Sequence, residues 1–195
     1  MKIIIIGGVA GGATTAARIR RVDETAEIVL LEKGKYISYA NCGLPYYIGG
    51  VIEERDKLFV QTPEAFSTRF RVDVRTENEV IFIDRKRKTV TVRQSSEDTY
   101  EESYDKLVIS TGASPVRPPL PGIDLSGIFT LRNVTDTDRI KEYIKNHAPR
   151  KAVVVGAGFI GLEMAENLQA QGAKVSIVEM GNQVTVSYTH LRAHE

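Results

Sequence analysis

The stretch "VVVGAGFIGLEMAE", residues 153–166, has glycines at the spacing G-x-G-x-x-G: Gly156, Gly158 and Gly161. An apolar run precedes them and a helical pattern follows. The first glycine permits a tight turn, the second lets the backbone approach a pyrophosphate, and the third lets the helix pack on the strand. The stretch therefore predicts a βαβ unit that binds a dinucleotide. Its strand, helix and second strand are expected at 152–155, 162–171 and 174–179.

The second strand of this unit ends in an acid, Glu179. A carboxylate at that place suits the ribose hydroxyls of a dinucleotide and would repel a 2′-phosphate. No arginine follows in "EMGNQ", residues 179–183. The pattern thus favours NADH over NADPH, while an acid that merely faces water is the alternative.

The same pattern opens the chain, in "KIIIIGGVAGGATTAAR", residues 2–18. When the two turns are aligned on Gly7 and Gly12, the middle glycine position is Val9, so backbone approach is less free there. Glu32 ends the next strand and suits ribose hydroxyls. A second dinucleotide site is therefore predicted, with a strand, a helix and a strand at 2–6, 11–22 and 26–32. Two βαβ units about 150 positions apart indicate an internal duplication and electron transfer between two cofactors.

The region between the two units is predicted to be rich in strands. Apolar alternation favours short strands at 72–76, 80–83, 89–93 and 107–110. The passage "SPVRPPLPGID", residues 114–124, contains too much proline for a helix and is predicted to connect two lobes. A helix is expected at 136–146.

Composition narrows the class of protein. The net charge of +1 gives no electrostatic argument for nucleic acid or an anionic membrane. A single cysteine among 195 residues excludes an internal disulfide framework and a Cys-rich zinc site. The apolar run at 3–6 is too short for a signal peptide or a membrane span, so a cytoplasmic location is expected.

The last residues, "TVSYTHLRAHE", fit neither βαβ pattern. His190 and His194 are four positions apart with Arg192 between them, a spacing that a metal pair could use, but no metal site is expected there. Residues 185–195 are predicted to be a non-native tail without structure.

The only cysteine lies in "YISYANCGLPYYIGG", residues 36–50. Cys42 has no partner for an internal disulfide, yet one thiol can still be oxidised as a mixed disulfide, a persulfide or a sulfenic acid. If a helix begins at Cys42, its N-terminal dipole favours the reactive thiolate. A buried, inert cysteine is the alternative.

Three polar residues of the first predicted helix support a phosphorylated substrate. Thr14, Arg18 and Arg21 are at i, i+4 and i+7 and share one face. Two guanidinium groups and a hydroxyl in a row suit phosphate oxygens. A solvated basic face is the alternative, and Arg20 is expected to point elsewhere, at the surface.

These motifs resemble those of the flavin disulfide reductases that carry two dinucleotides. The shared features are the first glycine turn, an acid 25 positions later, "STGA" at 110–113 and the second glycine turn. The stretch "SYANCGLPYYIGG" is similar to that of the coenzyme A-disulfide reductases and their relatives that act on persulfides. The resemblance covers Met1 to about Val184. It implies an α/β fold with an FAD-binding domain over 1–115, and a truncated NAD(P)-binding domain over 116–184 that is inserted into it.

The resemblance also implies residue roles. FAD would be bound by Gly7, Val9, Ala10, Gly11, Gly12, Glu32, Lys33, Ser110, Thr111 and Gly112. NADH, or NADPH, would be bound by Gly156, Gly158, Phe159, Ile160, Gly161 and Glu179. Coenzyme A would be contacted by Thr14, Arg18, Arg21, Ser38 and Asn41, and Cys42 would be the redox-active nucleophile.

The implied activity is reduction of coenzyme A disulfide, or a related persulfide, by NAD(P)H through a mixed disulfide on Cys42. An NADH oxidase or peroxidase that uses a sulfenic acid is an alternative enzyme. A nucleotide-binding redox sensor without turnover is an alternative from another class. A full-length relative is expected to be a homodimer, and the 195-residue chain by itself is expected to retain FAD poorly and to be inactive.

Overall fold

The computed structural model describes residues 1–184 and forms two compact units. The first unit consists of Met1–Tyr39 and Phe59–Ser114. The second consists of Ala40–Leu58 and the chain from Pro115 onward. The chain therefore leaves the first unit after Tyr39 and returns to it at Phe59.

The first unit contains a four-stranded parallel sheet with the order β3-β2-β1-β7. Its strands are β1 Lys2–Ile6, β2 Glu27–Glu32, β3 Asp73–Thr76 and β7 Lys106–Ile109, and its helices are α1 Ala10–Val22 and α3 Pro63–Phe70. β1 is apolar on both faces because both faces are covered. Ile3 and Ile5 pack with Ala16 of α1, whereas Ile4 packs with Val90.

A three-stranded antiparallel sheet, also in the first unit, covers the face of β1 that carries Ile4. Its strands are β4 Asn78–Asp84, β5 Thr89–Gln94 and β6 Thr99–Ser103. β6 carries Glu102, which accepts hydrogen bonds from Lys2 and, at 2.6 Å, from Arg75. These ion pairs link β6 to β1 and β3.

The second unit contains the other βαβ motif. Its elements are α2 Leu44–Ile48, α4 Val134–His147, β8 Lys151–Val155, α5 Phe159–Ala170 and β9 Lys174–Val178. β8 and β9 pair in parallel. α4 begins with a capping box in which Asn133 and Asp136 exchange hydrogen bonds with each other's backbone N–H. Ile48, Ile140 and Met164 form a small core between α2, α4 and α5.

The predicted α/β fold with two Rossmann-like βαβ units is confirmed. The passage at 114–124 contains neither helix nor strand, as predicted. Two elements were not predicted, α3 and β6, and the helix considered at Cys42 corresponds to the short helix α2. None of the helices within residues 1–184 is both long enough and apolar enough to cross a bilayer.

Candidate functional site

The first glycine turn connects β1 to α1 and is closely packed. Gly7 has a φ of +99°, a conformation that favours glycine. A Cβ at Gly7 would overlap the carbonyl oxygen of Ser110, and a Cβ at Gly12 would overlap the carbonyl oxygen of Gly7. Both positions therefore require glycine for packing, independently of any ligand.

Glu32 bridges this turn to the end of β2. The carboxylate is 8% exposed and accepts the Gly8 N–H at 2.7 Å with Oε2 and the Gly34 N–H at 2.7 Å with Oε1. Each carboxylate oxygen has a further lone pair that can accept a ribose hydroxyl. Glu32 can thus stabilise the turn and bind a ribose at the same time.

The other residues predicted to bind FAD lie in or near this turn, and their side chains differ in how far they are exposed to solvent. Val9 and Ser110 are half-buried, and the Ser110 N–H donates to the Ile6 carbonyl at 2.8 Å. The exposed residues of the set are Ala10, Gly11, Lys33, Thr111 and Gly112. The turn and the Ser110 segment are thus neighbours in the first unit, and their binding role stays a prediction.

The second glycine turn has the same backbone but open surroundings. Gly156 also has a φ of +99°, and a Cβ at Gly161 would overlap the Gly156 carbonyl oxygen. A Cβ at Gly156 or Gly158 would have no atom of residues 1–184 within 4 Å. The space beside Gly158 is a cradle that a side chain would fill, which fits the approach of a pyrophosphate. Phe159 and Ile160, which follow, are 54% and 57% exposed.

Glu179 repeats the arrangement of Glu32. It accepts the Ala157 N–H at 2.6 Å and the Gly181 N–H at 2.8 Å. The N–H groups of Gly181 and Ala157 hold the pKa of Glu179 below its usual range. The carboxylate is therefore ionised at neutral pH, and it would repel a 2′-phosphate placed beside it.

Cys42 lies on the surface of the second unit. Its side chain is exposed, so the alternative of a buried, inert cysteine is wrong. It lies in a 3-10 turn, Asn41–Gly43, and α2 begins two residues later at Leu44. The condition considered for a reactive thiolate, a helix that begins at Cys42, is therefore not met, because the α-helix begins two residues later.

Asn41, beside the thiol, has a buried Oδ1 that lacks a hydrogen-bond partner among residues 1–184. Such an orphaned acceptor fits a donor supplied by a bound molecule. Ser38 has a left-handed backbone with a φ of 47°. Its N–H donates to the Gly8 carbonyl at 3.0 Å, and its carbonyl accepts the Val60 N–H at 2.8 Å. Ser38 is thus held directly beside the first glycine turn.

The exposed face of α1 carries Thr14, Arg18 and Arg21, as their spacing predicts. Arg20 is different, because its guanidinium is half-buried and donates to the carbonyls of Phe70, Asp23, Glu24 and Arg71. The expectation that Arg20 is a surface residue is wrong. It links the end of α1 to the left-handed turn at Arg71, and no signal in the sequence indicates this.

Sequence reasoning also missed the residues that hold the end of α2. Lys141, Asn167 and Gln171 contact Tyr47 and Gly49, which are 94 to 122 positions away. Contacts this distant leave no periodic signal in a single sequence. The pair His190 and His194 lies outside the described residues.

The chain belongs to the pyridine nucleotide-disulphide oxidoreductase family, whose pattern matches residues 1–194. It is 48% identical over 185 residues to a coenzyme A disulfide reductase of Staphylococcus haemolyticus. That match covers 94% of this chain and 41% of the relative, so the chain spans less than half of the relative's length.

Two solved structures are similar to this fold. The crystal structure of reduced CoADR-RHD from Bacillus anthracis has a TM-score of 0.93 at 56% identity, covering 95% of this chain and 34% of that one. The NAD-dependent persulfide reductase from A. fulgidus has a TM-score of 0.90 at 42% identity, covering 95% and 35%. The similarity therefore extends over both units, each of which has its counterpart in these proteins.

Proposed function

We propose that this chain is part of an FAD-dependent enzyme that uses NADH to reduce coenzyme A disulfide, or a related coenzyme A persulfide, through Cys42. The observation that carries the proposal is the exposed, solitary thiol in a chain with two dinucleotide turns. The 48% identity to a coenzyme A disulfide reductase supports the substrate class. The reaction consumes one NADH and one proton for each disulfide and yields two thiols and NAD⁺.

The cofactor sites follow from the two turns. The turn from Gly7 to Gly12, with Glu32 and the Ser110–Gly112 segment, would hold FAD. The turn from Gly156 to Gly161, with Glu179, would hold NADH. When bound, FAD supplies the relay that carries an electron pair from NADH to sulfur. The division into an FAD-binding domain over 1–115 and an NAD-binding domain over 116–184 is part of the proposal.

The chain's own contribution to the chemistry is the thiolate of Cys42. It attacks one sulfur of the substrate disulfide, forms a mixed disulfide and releases the first coenzyme A thiolate, which takes up a proton. Two electrons then cleave the mixed disulfide, which releases the second thiol and restores the Cys42 thiolate. One cysteine thereby replaces the pair that a dithiol enzyme uses.

The substrate contacts in this proposal are Thr14, Arg18, Arg21, Ser38 and Asn41. The exposed guanidinium groups of Arg18 and Arg21 suit the phosphate oxygens of coenzyme A because arginine makes forked, charge-assisted hydrogen bonds. The Asn41 Oδ1, which has no hydrogen-bond partner among residues 1–184, can accept one hydrogen bond from the substrate. These residues would position the disulfide rather than react with it.

The decisive experiment is Cys42→Ser in the full-length protein. Disulfide reduction should fall by at least about a thousandfold, because hydroxyl is a far weaker nucleophile than thiolate at neutral pH. NADH should still bleach the flavin absorbance. Full turnover in the serine variant would refute the proposal.

Mass spectrometry of the isolated protein separates the alternatives. An adduct of coenzyme A mass on Cys42 supports disulfide reduction. A single added oxygen would instead indicate an oxidase or peroxidase that uses a sulfenic acid. Protein that binds NADH but never reduces a bound flavin would indicate a redox sensor.

A further inference from the structure

The helix that follows Cys42 is held at its C-terminal end by two side chains from distant helices. Lys141 of α4 donates through Nζ to the Tyr47 carbonyl at 2.6 Å, and Nζ lies 3.7 Å from the centroid of the Tyr47 ring. Gln171, just after α5, donates through Nε2 to the Gly49 carbonyl at 2.6 Å. The last carbonyls of a helix lack the usual intrahelical partners. The Tyr47 carbonyl also accepts the Gly50 N–H at 3.3 Å, so Lys141 adds a second donor to it, while Gln171 supplies a donor to Gly49 at the helix end.

Gly49 packs directly on α5. A Cβ there would overlap Oδ1 of Asn167 and would lie 2.6 Å from its Cγ. Asn167 is 3% exposed, and its Nδ2 donates to the Glu163 carbonyl at 2.8 Å, which fixes the orientation of the amide. The backbone of the thiol-bearing segment therefore has little freedom to move relative to α5.

The segment is attached to α4 at a second point, seven residues after Ile48, the last residue of α2. The guanidinium of Arg55 makes a forked pair with the carboxylate of Asp138, with distances of 2.9 Å from Nε and 2.8 Å from Nη2. Arg–carboxylate forks of this kind fix both distance and orientation. The segment is thus fastened to α4 on both sides of Gly49 and Gly50, through Tyr47 and Arg55, and to the end of α5 at Gly49.

The surroundings of Lys141 require a side chain that both donates a hydrogen bond to the Tyr47 carbonyl and carries a positive charge toward the Tyr47 ring. Burial lowers the pKa of Lys141, which means that the ammonium group has lost part of its hydration. The Tyr47 carbonyl and ring compensate this loss. An apolar residue of similar length fills the same space but can neither donate to the carbonyl nor attract the ring.

We propose that Lys141 and Gln171 are positioning residues for Cys42. They hold α2 by its terminal carbonyls and thereby fix the direction in which the preceding turn presents the thiol. The inference rests on the proposed function, since it assigns these residues to the thiol that would carry the reaction. α5 also begins at the second glycine turn, so one helix borders both the nucleotide site and the anchor of the thiol segment.

The test measures the reactivity of Cys42 in the 195-residue chain, where it is the only thiol. Two reagents are compared: dithionitrobenzoate, whose disulfide must be attacked along the S–S axis, and the small alkylating agent iodoacetamide. In the first reaction the Cys42 thiolate displaces one thionitrobenzoate and forms a mixed disulfide. The variants are Lys141→Met and Gln171→Glu, which keep side-chain volume and remove the donor.

We expect the ratio of the dithionitrobenzoate rate to the iodoacetamide rate to fall by at least about threefold in each variant, because orientation matters more for the disulfide. Amide exchange at 43–50 should become faster. Lys141→Arg, which keeps the charge and the donors, should restore most of the ratio. It also provides a folded variant if Lys141→Met does not fold.

Matched controls lie on the same helices. Lys145→Met on α4 and Gln169→Ala on α5 alter exposed side chains and should leave the ratio unchanged. An unchanged or increased ratio in Lys141→Met and Gln171→Glu would overturn the proposal, and so would an equal fall in the controls. The assay needs no flavin, nucleotide or coenzyme A. Failure of positioning is therefore distinct from failure of the proposed function, which the coenzyme A adduct and the Cys42→Ser variant report.

Discussion

The two glycine turns are nearly identical in backbone and differ in what surrounds them. The first glycine of each turn, Gly7 or Gly156, has a φ of +99°. Its N–H donates a hydrogen bond of 2.8 Å to a carbonyl of the second strand, which is that of Leu31 for Gly7 and that of Val178 for Gly156. At the end of that strand an acid, Glu32 or Glu179, accepts an N–H from the turn. The shared geometry is therefore a local property of the G-x-x-x-x-G stretch and its two strands.

The surroundings come from other parts of the chain. The Ser110 segment, which follows β7, closes around Gly7 and Gly11. In the described part of the chain, by contrast, no atom lies within 4 Å of a Cβ at Gly156 or Gly158. Glu32 is buried, but Glu179 is exposed. Local sequence therefore determines the shape of such a turn, while distant strands determine how enclosed it is.

The largest expected difference between the turns concerns their first glycines. Gly156→Ala should cost about 1–2 kcal/mol, which is the strain of a left-handed backbone for an L-residue. Gly7→Ala adds a clash with the Ser110 backbone, and overpacking raises the expected cost to about 2–5 kcal/mol. Hydrogen exchange at β1 and β8 amides reports each unit separately. Equal losses of protection would break the comparison.

Acid should weaken the first unit through Glu102. Burial by itself would raise the pKa of Glu102, but hydrogen bonds from Lys2 and Arg75 outweigh it and hold the pKa below the ordinary 4.5. The stability from these bonds is therefore complete above pH 4.5 and is lost as the pH falls through the lower folded-state pKa.

Glu102→Gln should remove this contribution. Loss of hydrogen bonds between charged groups should cost the first unit about 1.5–3 kcal/mol at pH 7. The variant should also lose less stability than the parent below pH 4.5. Amide exchange at β1 as a function of pH measures both effects. The exposed Glu97→Gln is the control, and a parent and variant with the same slope in acid would contradict this origin.

The smallest effect on stability is expected at Gly158. Its φ of −75° and ψ of 179° suit any residue, and the space beside it is open. Gly158→Val, which imitates Val9 of the first turn, should change stability by no more than about 0.5 kcal/mol. It should weaken NADH binding by about tenfold, since the side chain occupies the space that the pyrophosphate needs. The KM for NADH of the full-length enzyme measures this, and an unchanged value would remove Gly158 from the site.

The elements that could be predicted from the sequence are those whose position depends on a local residue pattern. β1 and β8 were found because an apolar run leads directly into glycines, and the bounds of β1 agree to the residue. α3 was missed although Thr62 and Pro63 form a standard helix start, so a usable signal was overlooked. β6 was missed because its sequence, TYEES, contains one apolar residue and forms a strand only by pairing with β5.

The candidate site was predictable to the same extent. The glycines and the two acids follow a spacing that can be read directly from one sequence. The hydrogen bonds of Arg20 to Phe70 and of Gln171 to Gly49 join residues 50 and 122 positions apart. Such contacts depend on how the chain returns to itself, and composition or periodicity does not encode that path.

The excursion of the chain from Tyr39 to Phe59 has a consequence for how such proteins can diverge. These two residues pair in an isolated antiparallel bridge, so the two ends of the intervening segment lie next to each other. A segment whose two ends are adjacent can be replaced by another segment without changing the register of the parallel sheet. A graft within residues 40–58 that keeps Ile48, Gly49 and Arg55, which contact α4 and α5, could therefore introduce a second cysteine, or remove the first, without altering the parallel sheet.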